Sequence, residues 1–324
     1  MREQVTGTRP DLTTVVVNWN TRDLLDDCLR SVYEATPHGL TNHVVVVDNG
    51  STDGSAEHLR SHWPQVDLVA NDENVGFCRA NNQALRITES PYVLLINTDA
   101  RLEPGGIDGM LGYLRDDPTC AVVGPRLVYG DGTFQRWTAG QPFTLRTLAN
   151  YLLGLERLLP GRPGAAGIYL GRDTDRAFQP GWVSSAVMML RRSAIEQIGL
   201  LDERIFVYMD DVDLCQRARD AGWNVWYAAD VTATHFMGAS SRRAPGRASP
   251  EALRALNRWF VRRHGHAAGV VLRGLEVAGF GGRALAYVGL AVVTRSPGRS
   301  SALSQMRVHA TRLRLALEPI DVRN

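Results

Sequence analysis

The stretch Val93-Leu94-Leu95-Ile96-Asn97-Thr98-Asp99 is the starting point for predicting the fold. Its apolar run is too short for an independent helix and predicts a strand buried on both faces, as in a parallel sheet. Asp99 then follows the carboxyl end of that strand, the edge at which open α/β sheets bind ligands. A carboxylate there can hold a divalent cation, but an isolated Asp more often only caps a turn. The rest of the chain decides between these two interpretations.

Composition narrows the class of protein. The chain has 324 residues and a formal net charge of +2, which permits one large domain or a domain with an appendage. The near balance of charge argues against nucleic-acid binding, which needs a concentrated basic face. The cysteines are scattered without metal-ligand or CxxC spacing and predict reduced, structural thiols in a cytosolic environment: Cys28, Cys78, Cys120 and Cys215. No secretory signal and no uninterrupted apolar run of about eighteen residues is visible.

Strand-like and helix-like segments alternate along the first half of the chain. Apolar, mostly β-branched runs occupy residues 13–17, 44–47, 66–70 and 92–96, and another begins at Ala121. Segments with helical spacing of apolar residues separate them. This alternation predicts an α/β fold with a mostly parallel central sheet flanked by helices. Further on, the sequence predicts a helical patch at 145–159 and a buried strand at 182–190.

The C-terminal part is predicted to be helical. A helix is expected at 251–264, followed by an apolar stretch at 267–293 that Gly279, Gly281 and Gly282 should interrupt. Two interpretations remain open: helices that pack on the core or on a second subunit, and an amphipathic pair that lies on a membrane surface. The packing interpretation is slightly favoured.

Polar clusters stand at the ends of the predicted strands. They are Asn18-Trp19-Asn20, Asp48-Asn49-Gly50-Ser51, Asn97-Thr98-Asp99 and Asp210-Asp211. Each could be a turn, but together they predict one site that gathers a nucleotide, a metal and an acid/base carboxylate. No Gly-x-Gly-x-x-Gly follows the first strand and no Gly-Lys-Ser/Thr loop is present, which argues against a dinucleotide cofactor and against an NTPase.

These segments resemble inverting glycosyltransferase family 2, whose members have a GT-A fold and transfer sugars from nucleotide diphosphate sugars. The resemblance covers about Thr13 to Ser240 and rests on motifs in the family's order: Val15–Asn20, Val47–Ser55, Asn74–Asn82, Leu95–Asp99, Asp210–Cys215, and His235 followed by Gly238 and Ser240. It implies a GT-A catalytic domain at 1–240, with a nucleotide-binding half at about 11–125 and an acceptor half at about 126–240. Residues 241–324 would form a C-terminal helical extension.

The resemblance assigns residues to the donor nucleotide-sugar. Trp19 matches the aromatic that lies against the base, although a core aromatic is the simpler interpretation. Asp48 matches the acid that hydrogen-bonds the base or ribose. Asn74, Gly76 and Arg79 fall in the segment that lines the nucleotide pocket, where a turn before a helix is the structural alternative.

The resemblance also implies a divalent metal cofactor, Mn²⁺ or Mg²⁺. Asp99 matches the metal-binding end of the family's Asp-x-Asp motif, and Asn97 stands where many members have Asp. A rhamnosyltransferase-like subgroup shares that departure, which leaves less negative charge for the cation. His235 matches the downstream His that completes the metal or diphosphate site, although an isolated His is more often structural.

The acceptor side is expected to supply the catalytic base. Asp211 matches that base, which takes the proton from an acceptor hydroxyl. Asp210 stands where relatives usually have Glu, and Trp182 is expected on the acceptor side with it. Ser185 replaces a common Gly. The structural alternative for the two aspartates is an acidic helix N-terminus.

The sequence therefore predicts an inverting glycosyltransferase that uses a dTDP- or UDP-sugar, with rhamnose the leading donor. Its acceptor would be a cell-surface polysaccharide or a lipid-linked glycan. We expect a cytoplasmic protein, peripheral at the inner face of the plasma membrane if the C-terminal helices contact lipid, and no nucleic-acid partner. The alternatives are a nucleotidyltransferase, which should carry a basic Gly-rich loop near the first strand, and a non-catalytic sugar-nucleotide-binding protein.

Overall fold

The computed structural model describes residues 9–162, 164–236, 250–295 and 298–320. The chain divides into two compact units. The first comprises Met1–Ala139, Asp173–Phe206 and Asp210–Arg242, and the second comprises Gly140–Arg172, Val207–Met209 and Arg243–Asn324. The division into a catalytic domain at 1–240 and a helical extension at 241–324 stays a prediction.

Strands and helices alternate through the first two thirds of the chain. The strands are β1 (Leu12–Asn18), β2 (Asn42–Asn49), β3 (Asp67–Asn71), β4 (Tyr92–Asn97), β5 (Ala100–Leu102), β6 (Cys120–Val128), β7 (Ala139–Gly140), β8 (Trp182–Val183), β9 (Val187–Arg191) and β10 (Asn224–His235). The helices are α1 (Arg22–Ala35), α2 (Ser55–His62), α3 (Phe77–Arg86), α4 (Gly106–Asp116), α5 (Leu145–Leu153), α6 (Leu155–Leu158), α7 (Arg192–Ile198), α8 (Asp210–Asp220), α9 (Pro250–Val293) and α10 (Gly298–Ala316).

The main sheet of the first unit is mixed. Its strand order is β3-β2-β1-β4-β9-β6-β10-β5. Strands β1 to β4 are parallel, as predicted, and β6 is parallel to β10. Strand β9 is antiparallel to both β4 and β6, and the short edge strand β5 is antiparallel to β10. The chain reaches β9 through a turn beside the carboxyl end of β4, where Asn97 N donates to Ala186 O, so β9 runs back along β4.

The register of the parallel strands aligns the polar clusters. Asn18 lies opposite Asp48, and Val17 lies opposite both Val47 and Asn97. Apart from the half-buried Val17, the valines and leucines that precede these polar residues are buried, because the sheet is covered on both faces. Burying these apolar runs therefore brings their polar ends to one edge. All four cysteines are buried and free, which confirms the prediction of reduced thiols.

Several sequence-based boundaries differ from the structure. The predicted helix at 145–159 is two helices, because Gly154 between them has a left-handed backbone (φ 76°). The predicted strand at 182–190 is interrupted at 184–186, between β8 and β9. Strand β5 was not predicted. Three residues are too few to show a periodic pattern.

Helix α9 continues through the glycines that were expected to interrupt it. Its single described departure from helical geometry is at Gly265 (φ 85°). Gly279 is buried against α5, and a Cβ built on it would lie 2.4 Å from the backbone oxygen of Leu152. Glycine at this position therefore allows α9 to pack closely against α5 and does not form a turn. By length and composition α9 is also the one described helix that could cross a bilayer, and 22% of its most apolar window is buried.

The two helical glycines make a matched pair for testing this packing. Gly279→Ala should lower the melting temperature, because the added methyl clashes with the backbone of Leu152. Relieving the clash requires a shift of α5 or α9 and should cost about 1–3 kcal/mol of stability. Gly282→Ala, in the same helix with nothing within 4 Å of its added Cβ, should leave stability unchanged or raise it by up to about 1 kcal/mol. Thermal denaturation followed by circular dichroism measures both. Equal effects of the two substitutions would contradict the packing role.

Candidate active site

The carboxyl ends of β1 and β2 are joined by buried side-chain hydrogen bonds. Asn18 Nδ2 donates to Asp48 Oδ1 at 2.7 Å and to Ser51 Oγ at 3.1 Å. Ser51 Oγ donates to Asp48 Oδ1 at 2.6 Å. Asp48 is thus held rigidly at the sheet edge. The role of Asp48 toward a base or ribose stays a prediction.

The next two loops are fixed to each other in the same way. Asn49 Nδ2 donates to Asn74 Oδ1 at 2.9 Å, and Asn74 Oδ1 also accepts from the backbone of Gly76 at 2.9 Å. Gly76 has φ 91°, and a Cβ there would lie 2.8 Å from the ring of Phe206. Only glycine fits both the backbone conformation and this approach. Asn74 and Gly76 therefore build the turn before α3, whether or not they also contact a nucleotide.

Three other predicted contact residues differ in exposure. Trp19 is 45% exposed at the same edge, so it is not the core aromatic of the simpler interpretation. Arg79 lies on α3 with Nε 3.5 Å from Glu203 Oε2 and a side chain that is about half exposed. Trp182, expected on the acceptor side, is buried in β8.

Asp99 and His235 are brought together from positions far apart in the sequence. Asp99 is buried and His235 is partly buried, and His235 Nε2 lies 3.3 Å from Asp99 Oδ1. The backbone N–H of Phe236 donates to Asp99 O at 2.8 Å, which holds the end of β10 beside the turn after β4. Gly238 and Ser240, which complete the family's order of motifs, lie outside the described residues.

This pair fits a divalent cation. Two ligands on adjacent corners of an octahedral site with bonds of about 2.1 Å are about 3 Å apart, close to the separation of these two atoms. A carboxylate oxygen and an imidazole nitrogen are both accepted by Mn²⁺-type ions. Among the described residues no group of three or more His, Cys, Asp or Glu side chains could hold a metal. The protein would thus supply only part of the coordination shell.

Asp210 and Asp211 begin helix α8, where the helix dipole favours negative charge. Ser185 Oγ donates to Asp210 Oδ2 at 2.6 Å. The preceding residues Tyr208 (φ 65°) and Met209 (φ 68°) both have left-handed backbones. Such conformations cost free energy in non-glycine residues and cluster at functional sites.

The environment of Asp210 and Asp211 disfavours the ionised form of both carboxyl groups. Burial, together with the neighbouring Asp210 carboxylate, raises the pKa of Asp211 above the ordinary aspartate range. Burial also raises the pKa of Asp210. A raised pKa brings a carboxylate closer to the basicity that suits a general base near neutral pH. The helix-cap interpretation alone would not produce this effect.

Hydrogen bonds connect these groups into one continuous polar edge. Thr21 Oγ1 donates to Asn18 Oδ1 at 2.7 Å and lies 2.8 Å from Thr98 Oγ1, the residue before Asp99. On the other side, Asn97 N bonds to Ala186 O, and the preceding Ser185 bonds to Asp210. The Asp48, Asp99 and Asp210 clusters therefore belong to a single constellation.

Sequence reasoning missed two members of this constellation. It noted Ser185 only as a departure from Gly, but the Ser185 hydroxyl is the hydrogen-bond donor to Asp210. It did not single out Gln135, whose side chain bonds to His235 one hundred positions away. No local pattern could have revealed Gln135. Ser185 could have been singled out as one of two adjacent hydroxyl residues, Ser184 and Ser185, within a predicted strand that is otherwise apolar.

Comparisons with known proteins agree with this geometry. The sequence profile described as "Glycosyl transferase family 2" matches residues 13–199. An "N-acetylglucosaminyl-diphospho-decaprenol L-rhamnosyltransferase" of Mycobacterium tuberculosis is 29% identical over 245 residues, which cover 72% of this chain and 78% of that protein.

Two solved structures are similar in fold. A mannosyltransferase from Pyrobaculum calidifontis in complex with GDP-Man and Mn²⁺ has a TM-score of 0.56 at 18% identity and covers 96% of this chain and 89% of its own. GalNAc-T7 with UDP, GalNAc and Mn²⁺ has a TM-score of 0.55 at 12% identity, and the alignment covers 78% of this chain and about half (48%) of that one.

The fold is of the GT-A class, with a mixed β-sheet flanked by helices and a C-terminal helical region. The chain belongs to glycosyl transferase family 2 and is similar to rhamnosyltransferases within it. The predictions of fold, enzyme class and family are confirmed. The metal and the roles of individual residues stay predictions.

The raised pKa of Asp211 predicts a stability change with a definite sign. The folded protein keeps the proton at pH values where the unfolded chain, with a pKa of about 4, has released it. Wild-type stability should therefore fall as pH rises from about 4 through the raised folded pKa.

Asp211→Asn should consequently raise the melting temperature at pH 8 by about 2–4 °C, or about 1 kcal/mol. The gain should shrink as the pH approaches 4, where the wild-type carboxyl is also neutral. Calorimetry with chelator present measures this, and Asp116→Asn, an exposed carboxylate at the end of α4, is the control. A gain independent of pH would contradict the assigned cause.

Proposed function

We propose that this chain transfers a sugar, with rhamnose the leading donor, from a dTDP- or UDP-sugar to a hydroxyl of a cell-surface polysaccharide or lipid-linked glycan. The observation that carries this proposal is the continuous hydrogen-bonded edge that unites the Asp48, Asp99 and Asp210-Asp211 clusters. The similar mycobacterial protein is named as a rhamnosyltransferase acting on a diphospho-decaprenol-linked sugar, which supports both the donor and the acceptor class.

The proposed reaction is a single displacement. Asp211 accepts the proton of the acceptor hydroxyl as that oxygen forms a bond to the anomeric carbon. The bond from this carbon to the donor phosphate breaks, and its electron pair leaves with the nucleoside diphosphate. Attack from the face opposite the leaving group inverts the anomeric configuration. Burial, together with charge repulsion from Asp210, which Ser185 holds in place, keeps the Asp211 carboxylate basic.

The donor would be held by the other clusters. Trp19 offers an exposed aromatic face to the base, and Asp48 on β2 lies opposite Asn18, the residue before Trp19. Asp99 and His235 would hold a divalent cation, Mn²⁺ or Mg²⁺, and Asn97 lies close by without adding charge. When bound, this ion neutralises charge that develops on the departing diphosphate. The diphosphate itself would complete the coordination shell.

Activity measurements test the base assignment. Asp211→Asn should lower the transfer rate by about 10²–10⁴-fold and change nucleotide affinity by less than about threefold, because the carboxylate acts on the acceptor. Asp220→Asn, at the far end of the same helix, should retain activity. Titration calorimetry of dTDP- and UDP-sugars with and without Mn²⁺ gives affinity, and turnover of the best binder gives the rate.

The same assay separates the alternatives. Inverted product together with nucleoside diphosphate is expected, whereas release of the sugar phosphate, the leaving group when a nucleotidyl group is transferred from the same donor, would identify a nucleotidyltransferase. Full activity in Asp211→Asn would contradict the assignment of Asp211 as the base. Failure of every nucleotide diphosphate sugar to bind would contradict the proposed sugar-transfer activity itself.

We also propose that helix α9 lies on a lipid surface. One face of α9 packs within the second unit through Leu272, Gly279 and Phe280, so part of the packing interpretation holds. Beyond Gly265 the opposite face exposes apolar side chains that are between 51% and 79% exposed: Val270, Val271, Leu285, Val292 and Val293.

The charges around this face favour an anionic bilayer. Exposed arginines follow it in the chain, at Arg295 and on α10 at Arg299, Arg307 and Arg314. The described acidic residues from 250 onward are Glu251, Glu276 and Glu318, and Glu276 is fully buried. An exposed apolar helix face followed by exposed arginines is typical of segments that lie in the headgroup region of anionic membranes.

Vesicle flotation tests this surface. The protein should float with vesicles that contain phosphatidylglycerol and bind weakly to pure phosphatidylcholine. Replacing Leu285, Val292 and Val293 together by Glu should reduce flotation at least about tenfold, because charge enters the apolar contact. Ile87→Glu, an exposed apolar position in the first unit, is the control. A wild-type protein that stays unbound to anionic vesicles would overturn the proposal.

A further inference from the structure

Gln135 has a polar side chain with no exposed surface, and the proposed reaction gives this side chain no role. It follows β6 and a turn at 129–133, and its backbone N–H donates to Leu127 O at 3.0 Å. The side chain reaches the end of β10 and bonds to His235 twice. A fully buried amide with such contacts is held in one orientation by them.

The amide nitrogen fixes that orientation. Gln135 Nε2 donates to the backbone oxygen of Val128 at 3.1 Å and to the backbone oxygen of His235. A reversed amide would direct its own carbonyl at these two carbonyls, which repel it. The atom that faces the His235 ring is therefore Oε1, at 3.1 Å from Nδ1.

The orientation of Gln135 determines the tautomer of His235. Because Oε1 can only accept, Nδ1 must carry the hydrogen that it donates. In the neutral ring the lone pair then lies on Nε2, the nitrogen that stands 3.3 Å from Asp99 Oδ1. Two acceptors that face each other at this distance are stabilised by a cation between them.

We propose that Gln135 is a positioning residue for the divalent cation. It clamps both the ring and the backbone carbonyl of His235, so that Nε2 and the Asp99 carboxylate present their lone pairs to one ion. Because its Oε1 accepts the hydrogen on Nδ1, it also increases the basicity of Nε2 as a metal ligand. The inference rests on the proposed cation site at Asp99 and His235, but the tautomer can be tested without any metal.

The first measurement is made on the wild-type protein. In metal-free protein labelled with ¹⁵N-histidine, long-range ¹H–¹⁵N correlation spectra at a pH where the ring is neutral should show His235 protonated on Nδ1. The signal is assigned among the eight histidines by its absence in His235→Ala. A wild-type His235 protonated on Nε2 would overturn the proposal directly.

The second measurement compares matched variants. Gln135→Met keeps the length of the side chain and removes its hydrogen bonds. It should shift His235 toward the Nε2–H tautomer and weaken the binding of Mn²⁺ alone by about 10–100-fold, as measured from free Mn²⁺ by electron paramagnetic resonance. Thr138→Val is the control: Thr138 is buried in the same segment and bonds to Pro125 and Leu127. It should lose stability but keep Mn²⁺ affinity within about twofold.

The outcomes distinguish the two proposals. If Asp99→Asn and His235→Ala bind Mn²⁺ as the wild type does, the cation site itself is wrong. If these two variants lose Mn²⁺ while Gln135→Met keeps both the affinity and the Nδ1–H tautomer, only the role of Gln135 is wrong. Equal loss of Mn²⁺ affinity in Gln135→Met and Thr138→Val would show that Gln135 affects the ion only through the overall stability of the protein.

Discussion

The pairing of β1 between β2 and β4 is the constraint on which the site depends. Its parallel ladders place Asn18 opposite Asp48 and Val17 opposite Asn97, so that three polar clusters lie at the same edge of the sheet. The ladders run through apolar residues buried on both faces, and slipping one strand would expose apolar side chains or bury polar ones. The same burial that drives folding therefore also sets the positions of the functional side chains.

The site itself opposes folding. Two adjacent carboxyl groups sit at the start of α8, and burial raises the pKa of both. Left-handed backbones at Tyr208 and Met209 precede them. The hydrogen bond from Ser185, the α8 dipole and the core of the sheet offset these costs. This arrangement suits a base that must be both basic and accessible, since a fully solvated carboxylate would be a weaker proton acceptor.

Glycine has different physical roles in the two units. Gly76 is required because of its positive φ and its close approach to Phe206. Gly279 has a helical backbone and is required because Leu152 leaves no space for a methyl group. A sequence pattern treats both as interruptions of regular structure, and for Gly279 that prediction was wrong. Only the neighbouring helix shows why the residue is small.

Local sequence determined the parallel strands, the helices between them and the clusters at their ends, because burial periodicity and turn chemistry are properties of neighbouring residues. It was therefore sufficient to predict an α/β fold with a mostly parallel sheet, whereas the GT-A fold and the family followed from the resemblance of its motifs, in their order, to glycosyltransferase family 2. Tertiary structure decided the antiparallel insertion of β9, the contact of Ser185 with Asp210, and the pairing of His235 with Asp99 and Gln135. These contacts join residues that are 25 to 136 positions apart. No periodicity records such distances, because they are fixed only when the apolar faces of the whole sheet are buried together.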